Sequence, residues 1–241
     1  MFESSAAKKH ILDDDCKNLH YAQRCLKVIG EEIENKWLYL PVSDTGKEKA
    51  QTLLKSTCIA EDSFIVGFHP SFSGMKKSFF RSRKSHHFKE WPVTSFAILA
   101  NFLCDYAGQY NIRLNIIMDL LPDEKALGEA LVEVSGNKVR SLMPPPAFER
   151  YKAVMQRMDL LITPDTGPMH IAGAVGTSIV ALFSGKSPDD CGPYVPPEQY
   201  VTLRAEETNE PDKGIAAISP QVVFDACKRF LPVGKVPAVE N

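Results

Sequence analysis

The feature that most constrains this chain is a pair of short apolar runs, 159–163 (DLLIT) and 178–183 (SIVALF), set fourteen residues apart. Each run is apolar on both faces, which a strand tolerates only in a parallel sheet covered by helices on both sides. The gap between them has room for one crossover helix. The same alternation extends over much of the chain. Further strand candidates are 37–40 (WLYL), 64–68 (FIVGF) and 112–118 (IRLNIIM). Helix candidates fall at about 93–109, 122–135, 148–158 and 166–175. In the first of these, Phe96, Ala97, Leu99, Ala100, Leu103 and Ala107 recur at helical spacing. Pro122, Asp123 and Glu124 read as a helix start, with proline in the first turn and acids at the positive end of the dipole. Such alternation predicts an α/β, Rossmann-like parallel sheet with helices on both faces.

The flanks are less regular. Residues 1–57 offer a helix near 18–29, the short strand 37–40 and a helix near 47–55, and read as a connector. Residues 58–205 form the sheet domain. Residues 206–241 are a loop (EETNEPDKG) followed by a helix at 220–231.

Composition narrows the function. A formal net charge of -2 over 241 residues argues against a general nucleic-acid binder, which carries a basic excess. Cys16, Cys25, Cys58, Cys104, Cys191 and Cys227 are scattered with no C-x-x-C pair, the pattern of reduced thiols in a cytoplasmic protein. The first residues hold no apolar stretch of signal-peptide length. The weakly polar run 171–183 is too short to span a bilayer. A peripheral membrane contact stays open.

Between the two apolar runs sits Pro-Asp-Thr-Gly-Pro-Met-His, 164–170. In an open parallel sheet, ligands bind beyond the carboxyl ends of the strands, where the chain turns into the next helix. The first amides of that helix lack intrahelical acceptors and the dipole adds partial positive charge, so a phosphate or diphosphate fits there. Gly167 permits close backbone approach, Thr166 offers a hydroxyl and His170 lies one turn inside. Asp165 would repel a phosphate at contact, so it suits capping amides or accepting from a sugar hydroxyl. The residues alone also allow a plain helix cap at Asp165 or Thr166 with a core histidine. No G-x-G-x-x-G follows an early strand, which argues against a nicotinamide-dependent oxidoreductase.

Residues 158–194, MDLLITPDTGPMHIAGAVGTSIVALFSGKSPDDCGPY, closely resemble the signature of the heptosyltransferase family, glycosyltransferase family 9. Two upstream pieces resemble it in the same order: IVGFHPS followed by KEWP, and LNIIMDLLPDEKALGEAL. HILDDDCKNLHYAQRCLKVIG is similar to the helix that ends the family's first domain. The resemblance implies a GT-B fold of two Rossmann-like domains, of which this chain matches the donor-binding second plus its connector. It implies an ADP-heptose donor, a lipopolysaccharide-core or other glycan acceptor, inversion at the sugar carbon, and no cofactor or metal. By the same resemblance Lys89 would take the catalytic role of steadying the diphosphate, with the Thr166 and Gly167 amides and His170. Ser71 would bond a phosphate oxygen, Glu124 the ribose hydroxyls, and Asp165 belongs to the same nucleotide-sugar site. The family's base lies on the first domain, so a separate N-terminal half becomes an expected partner, at the cytoplasmic face of the inner membrane. The sequence departs from the pattern at Asp119-Leu120-Leu121, where glycines are usual, and at Cys191, where an aromatic is common. It also carries an enlarged stretch between Ser71 and Lys89 with Lys76, Lys77, Arg81, Arg83 and Lys84 beside Phe79 and Phe80. That stretch reads either as a solvated loop or as a means of capturing an anionic acceptor or lipid surface.

Overall fold

The computed structural model describes residues 19–28, 37–72 and 88–233. Six strands form one parallel sheet: β1 (Phe64–Phe68), β2 (Leu114–Asp119), β3 (Val139–Leu142), β4 (Leu160–Pro164), β5 (Ser178–Phe183) and β6 (Tyr200–Arg204). Their spatial order is β3-β2-β1-β4-β5-β6. The helices are α1 (Tyr21–Val28), α2 (Asp44–Ser56), α3 (Val93–Gln109), α4 (Lys125–Val134), α5 (Phe148–Arg157), α6 (Gly167–Val175), α7 (Pro188–Cys191) and α8 (Pro220–Cys227).

Strand residues split by parity into two cores, as the two-residue period of a strand requires. Val66, Phe68, Ile116, Met118, Leu160, Ile162, Val180 and Leu182 face α3, α4 and α8. Ile65, Ile117, Leu161, Ile179, Ala181 and Phe183 face α2, α5 and α6. Burial on both faces explains why the central strands are continuous apolar runs. After β3 the chain returns to lay β4 against β1, with Val66 opposite Leu160 and Phe68 opposite Ile162. The order reverses there, opening a crevice at the carboxyl ends of β1 and β4.

Most sequence expectations match within a residue or two. The helix expected at 93–109 runs Val93–Gln109, and that expected at 148–158 runs Phe148–Arg157. The one expected at 122–135 begins as a 3-10 turn, Pro122–Glu124, before α4. The helix expected at 220–231 ends at Cys227. The strand expected at 37–40 is not one. It is an extended segment outside the sheet, with the Leu38 amide donating to Tyr194 O (3.0 Å) and the Leu40 amide to Ala174 O (2.8 Å). Trp37 and Tyr39 point largely to solvent, so no second strand edge meets it. Edge strands β3 and β6 were not foreseen. Helix α2 is sewn onto α5: Ser43 caps α2 through Gly46 N, the Ser43 amide donates to Glu149, and Lys152 donates to Pro41 O at 2.6 Å. Cys25, Cys58, Cys104, Cys191 and Cys227 are free thiols. Asp13, Asp14, Asp15, Cys16 and the basic stretch 73–87 lie outside the described residues.

Candidate functional site

The β4–α6 turn meets Lys89 in the crevice. Lys89 Nζ donates to Asp165 Oδ2 at 2.6 Å and to the Asp165 carbonyl at 2.8 Å. The lysine side chain keeps 38% of its surface exposed while the aspartate keeps 12%. The carboxylate is thus spent on holding the ammonium in place, and the ammonium still faces the open crevice. The structure adds to the expected roles of Asp165, capping amides or meeting a sugar hydroxyl, an ion pair through Oδ2. The repulsion that Asp165 would exert on a phosphate is largely neutralised by its partner.

Two packing contacts explain why a lysine seventy-six residues away arrives here. Trp91, 2% exposed, donates from its indole nitrogen to Ile218 O at 2.9 Å and packs edge-on against Phe96. The Ile215 amide donates to Phe88 O at 2.9 Å. Gly214 sits at φ 61, and a Cβ there would lie 2.5 Å from the Phe88 Cα, so only glycine fits both the backbone and the approach. Lys89 is therefore clamped between two fixed neighbours.

Thr166 occupies the N-cap position of α6 with extended backbone, yet its side chain makes no capping bond. Its hydroxyl instead donates to Pro164 O (3.3 Å) and lies 3.3 Å from the Thr163 hydroxyl. Pro168, in the first turn, has no amide to satisfy. A Cβ on Gly167 would meet nothing within 4 Å, so the helix start opens onto free space. His170 is half-buried, and burial lowers its pKa below 6.5 despite the nearby Asp165 carboxylate. Helix α6 closes at Gly176, φ 96, in the left-handed region that glycine favours.

At the end of β1, Ser71 is 4% exposed and its hydroxyl lies 3.2 Å from His69 Nε2. Burial drives the His69 pKa down to about 4, so the ring is neutral at ordinary pH. Beyond it a cleft of about 330 Å³ runs between the end of β2 and α6. Leu120, Ala147, Tyr151, Pro168 and Ile171 give it apolar walls, and Glu124 stands at its edge. Glu124 Oε2 accepts from the Leu121 amide at 2.9 Å, which fixes the carboxylate at the helix start. Beneath lies a buried pair, Arg150 to Asp119, with side chains 8% and 2% exposed. Burial lifts the Asp119 carboxyl to about 6, with Arg150 pulling the other way. Arg150 Nε has no hydrogen-bond partner.

Lys89, Asp165, Thr166, Gly167 and His170 thus converge at one turn. Ser71 follows β1 and meets His69, and Glu124 stands at the edge of the adjoining cleft rather than at the turn itself. Sequence reasoning missed His69, Asp119, Arg150 and Tyr151. Asp119 had a signal, a charge where glycine is usual; Arg150, in a helix rich in charge, had none. Among the described residues no group of three or more His, Cys, Asp or Glu is placed to hold a metal, and no helix is long and apolar enough to cross a membrane.

Residues 22–221 match the glycosyltransferase family 9 (heptosyltransferase). A lipopolysaccharide core heptosyltransferase, OpsX, of Haemophilus influenzae is 24% identical over 122 residues, 51% of this chain and 34% of that protein. The crystal structure of a family 9 glycosyl transferase from Veillonella parvula superposes with a TM-score of 0.74 at 22% identity, over 91% of this chain and 62% of that one. Escherichia coli ADP-heptose lps heptosyltransferase II gives 0.68 at 18% identity, over 91% and 64%. E. coli heptosyltransferase WaaC, solved with ADP, gives 0.60 at 18%, over 89% and 58%. The chain therefore spans less than two thirds of the length of each of these relatives. The match over 200 of the 241 residues (22 to 221) covers most of the sheet and its helices, and this chain belongs to glycosyltransferase family 9, the heptosyltransferases.

Proposed function

We propose that this chain is the donor-binding half of an inverting heptosyltransferase of GT-B architecture. It holds ADP-heptose for transfer to an acceptor of the lipopolysaccharide core. The observation that carries the reading is Lys89, whose ammonium is fixed by Asp165 beside an uncapped helix start at the sheet's switch point. As the bond from the sugar carbon to the diphosphate breaks, negative charge grows on the leaving ADP. A cation and helix amides already aimed at that charge lower the barrier without reorganising. Ser71 and His170 border the same anion position. The apolar cleft takes the base, and Glu124 at its edge accepts from the ribose hydroxyls. No metal is called for, because Lys89 and the amides supply the positive charge.

The acceptor hydroxyl must lose a proton as it attacks. Asp165, Glu124 and Asp119 are each already engaged, with Lys89, the Leu121 amide and Arg150. In the family a carboxylate on the first domain supplies this base, so the base is assigned to the other half of a GT-B pair, acting at the cytoplasmic face of the inner membrane. The same engagement favours a second reading, a nucleotide-sugar-binding module without turnover, wherever that half is not supplied.

Calorimetric titration with ADP, UDP and NAD, beside Lys89→Ala and Asp165→Ala, tests the proposal. ADP alone should bind, and both variants should bind it at least about tenfold more weakly. Equal binding of UDP, or unchanged ADP binding by Lys89→Ala, would overturn it. Heptose transfer on adding a first domain separates the enzyme from the module.

A further inference from the structure

The segment ahead of the sheet domain reaches the rim of this site through one histidine. His20 precedes α1, and its ring bonds at both nitrogens. The Ala22 amide donates to Nδ1 at 3.1 Å, and Nε2 lies 3.1 Å from the Gly192 carbonyl. An amide can only donate and a carbonyl only accept, so the ring is the neutral tautomer with its proton on Nε2. The ring stacks on Tyr194 with centroids 4.7 Å apart. Trp37 meets the same tyrosine edge-on at 5.5 Å, and the Leu38 amide donates to the Tyr194 carbonyl. Arg24 adds an ion pair to Asp190 on α7. Two stretches outside the sheet domain thus grip one loop, 187–194.

That loop borders the donor site. Asp165 and Lys89 both bear electrostatically on Cys191, and His20 on His170. A Cβ on Gly173, in the last turn of α6, would come within 3.0 Å of Val195, so the residue that follows the loop packs on the far end of the site helix. An eight-residue helix is not stable by itself in water. Helix α1 therefore stays formed through these contacts, those of His20 and Arg24 among them.

We infer that His20 is a positioning residue for the donor site, tying α1 to loop 187–194 beside α6 most firmly while its ring is neutral, when Nδ1 can also accept from Ala22. Protonation would turn an N–H toward the Ala22 N–H, removing the bond that caps α1, while the Nε2 donation to Gly192 O persists. The charged and titratable groups facing the ring are Arg24 behind it, Asp190 on α7 and His170 on α6. Burial outweighs the Gly192 bond and Asp190, both of which favour the charged ring, and holds the His20 pKa below 6.5. The sign follows: the pinned state is complete above 6.5 and weakens as pH falls below it. The link to donor affinity rests on the proposed function, while the pinning itself does not.

Trp37 reports on the pin, because the only other tryptophan, Trp91, is buried in the core. Its emission, taken as the difference between the native chain and Trp37→Phe, would be followed from about pH 8 to about pH 5. His20→Gln, which reaches Gly192 O without titrating, and His20→Phe, which keeps only the stack, run alongside. The native signal should shift to longer wavelength on acidification while His20→Gln stays flat. ADP titrations across the same range should show native affinity falling about fivefold more than that of His20→Gln, the scale of one hydrogen bond. Taking that difference cancels protonation of ADP. Identical pH profiles, or His20→Phe binding ADP like the native chain, would overturn the inference. If the native chain binds no ADP at any pH, the proposed function falls, and the Trp37 titration alone decides the pin, a flat native trace refuting it.

Discussion

Lys89–Asp165 and Arg150–Asp119 both join a cation to a carboxylate at the carboxyl ends of central strands, one after β4 and one at the end of β2. They differ in who else can reach the cation. The lysine keeps 38% of its side-chain surface and the arginine 8%. An exposed pair contributes little to stability because water competes for both ions. A buried pair resists the loss of either partner, since the survivor is left charged in a low-dielectric interior. The first therefore presents charge to a visitor, and the second forms a floor beneath the cleft.

The contrast can be broken by single substitutions. Asp119→Ala should give the largest effect, about 3–5 kcal/mol of lost stability, because it strands the buried Arg150. Urea unfolding measures it, and Asp119→Leu with Arg150→Met should recover most of the loss. Lys89→Ala should cost about 1 kcal/mol of stability or less, yet weaken ADP binding by about ten- to a hundredfold, the range for a bond to a charged group. A stability loss as large as that of Asp119→Ala would erase the distinction.

Gly214→Ala comes next. It forces a left-handed backbone and pushes on Phe88, so at least about 1 kcal/mol of stability should go. ADP affinity should fall with it although the glycine touches no ligand. Unchanged ADP affinity would mean that Lys89 is not held through Phe88. The smallest effect is in pH dependence. Burial raises the Asp119 pKa from 3.8 to about 6, so the stability linked to this group is complete below 3.8 and is lost as pH rises through 6. Asp119→Asn, which cannot titrate, should flatten the slope of unfolding free energy between those values.

What could be read in advance follows the same division between local and distant. The central strands are legible because burial on two faces leaves uninterrupted apolar runs. β3, with Arg140 exposed, and β6, with all five residues only partly buried, lie at the sheet edges and carry no such run. The segment 37–40 has the composition of a strand but meets a loop and a helix end instead of a sheet edge. Lys89, Asp165, Thr166 and Gly167 stand out by motif. That Lys89 would fall on Asp165 did not, since the contact is set by Trp91 and Phe88 against the distant Ile215 and Ile218. The Asp119–Arg150 pair was still less legible, because nothing local marks an arginine that points inward from an otherwise charged helix.

The clamp on Lys89 has a bearing on how this surface can change. Phe72 and Phe88 bracket the stretch 73–87; β1 and the buried Ser71 lead into one end, and Ile215 holds the other. With both ends anchored, the stretch can lengthen or shorten while the ammonium stays in register with α6. Doubling the length of chain between two fixed ends costs only about 0.6 kcal/mol of closure entropy. Insertions and charge changes between Phe72 and Phe88 are therefore an inexpensive route by which a chain of this design can vary in sequence while leaving the donor site in place.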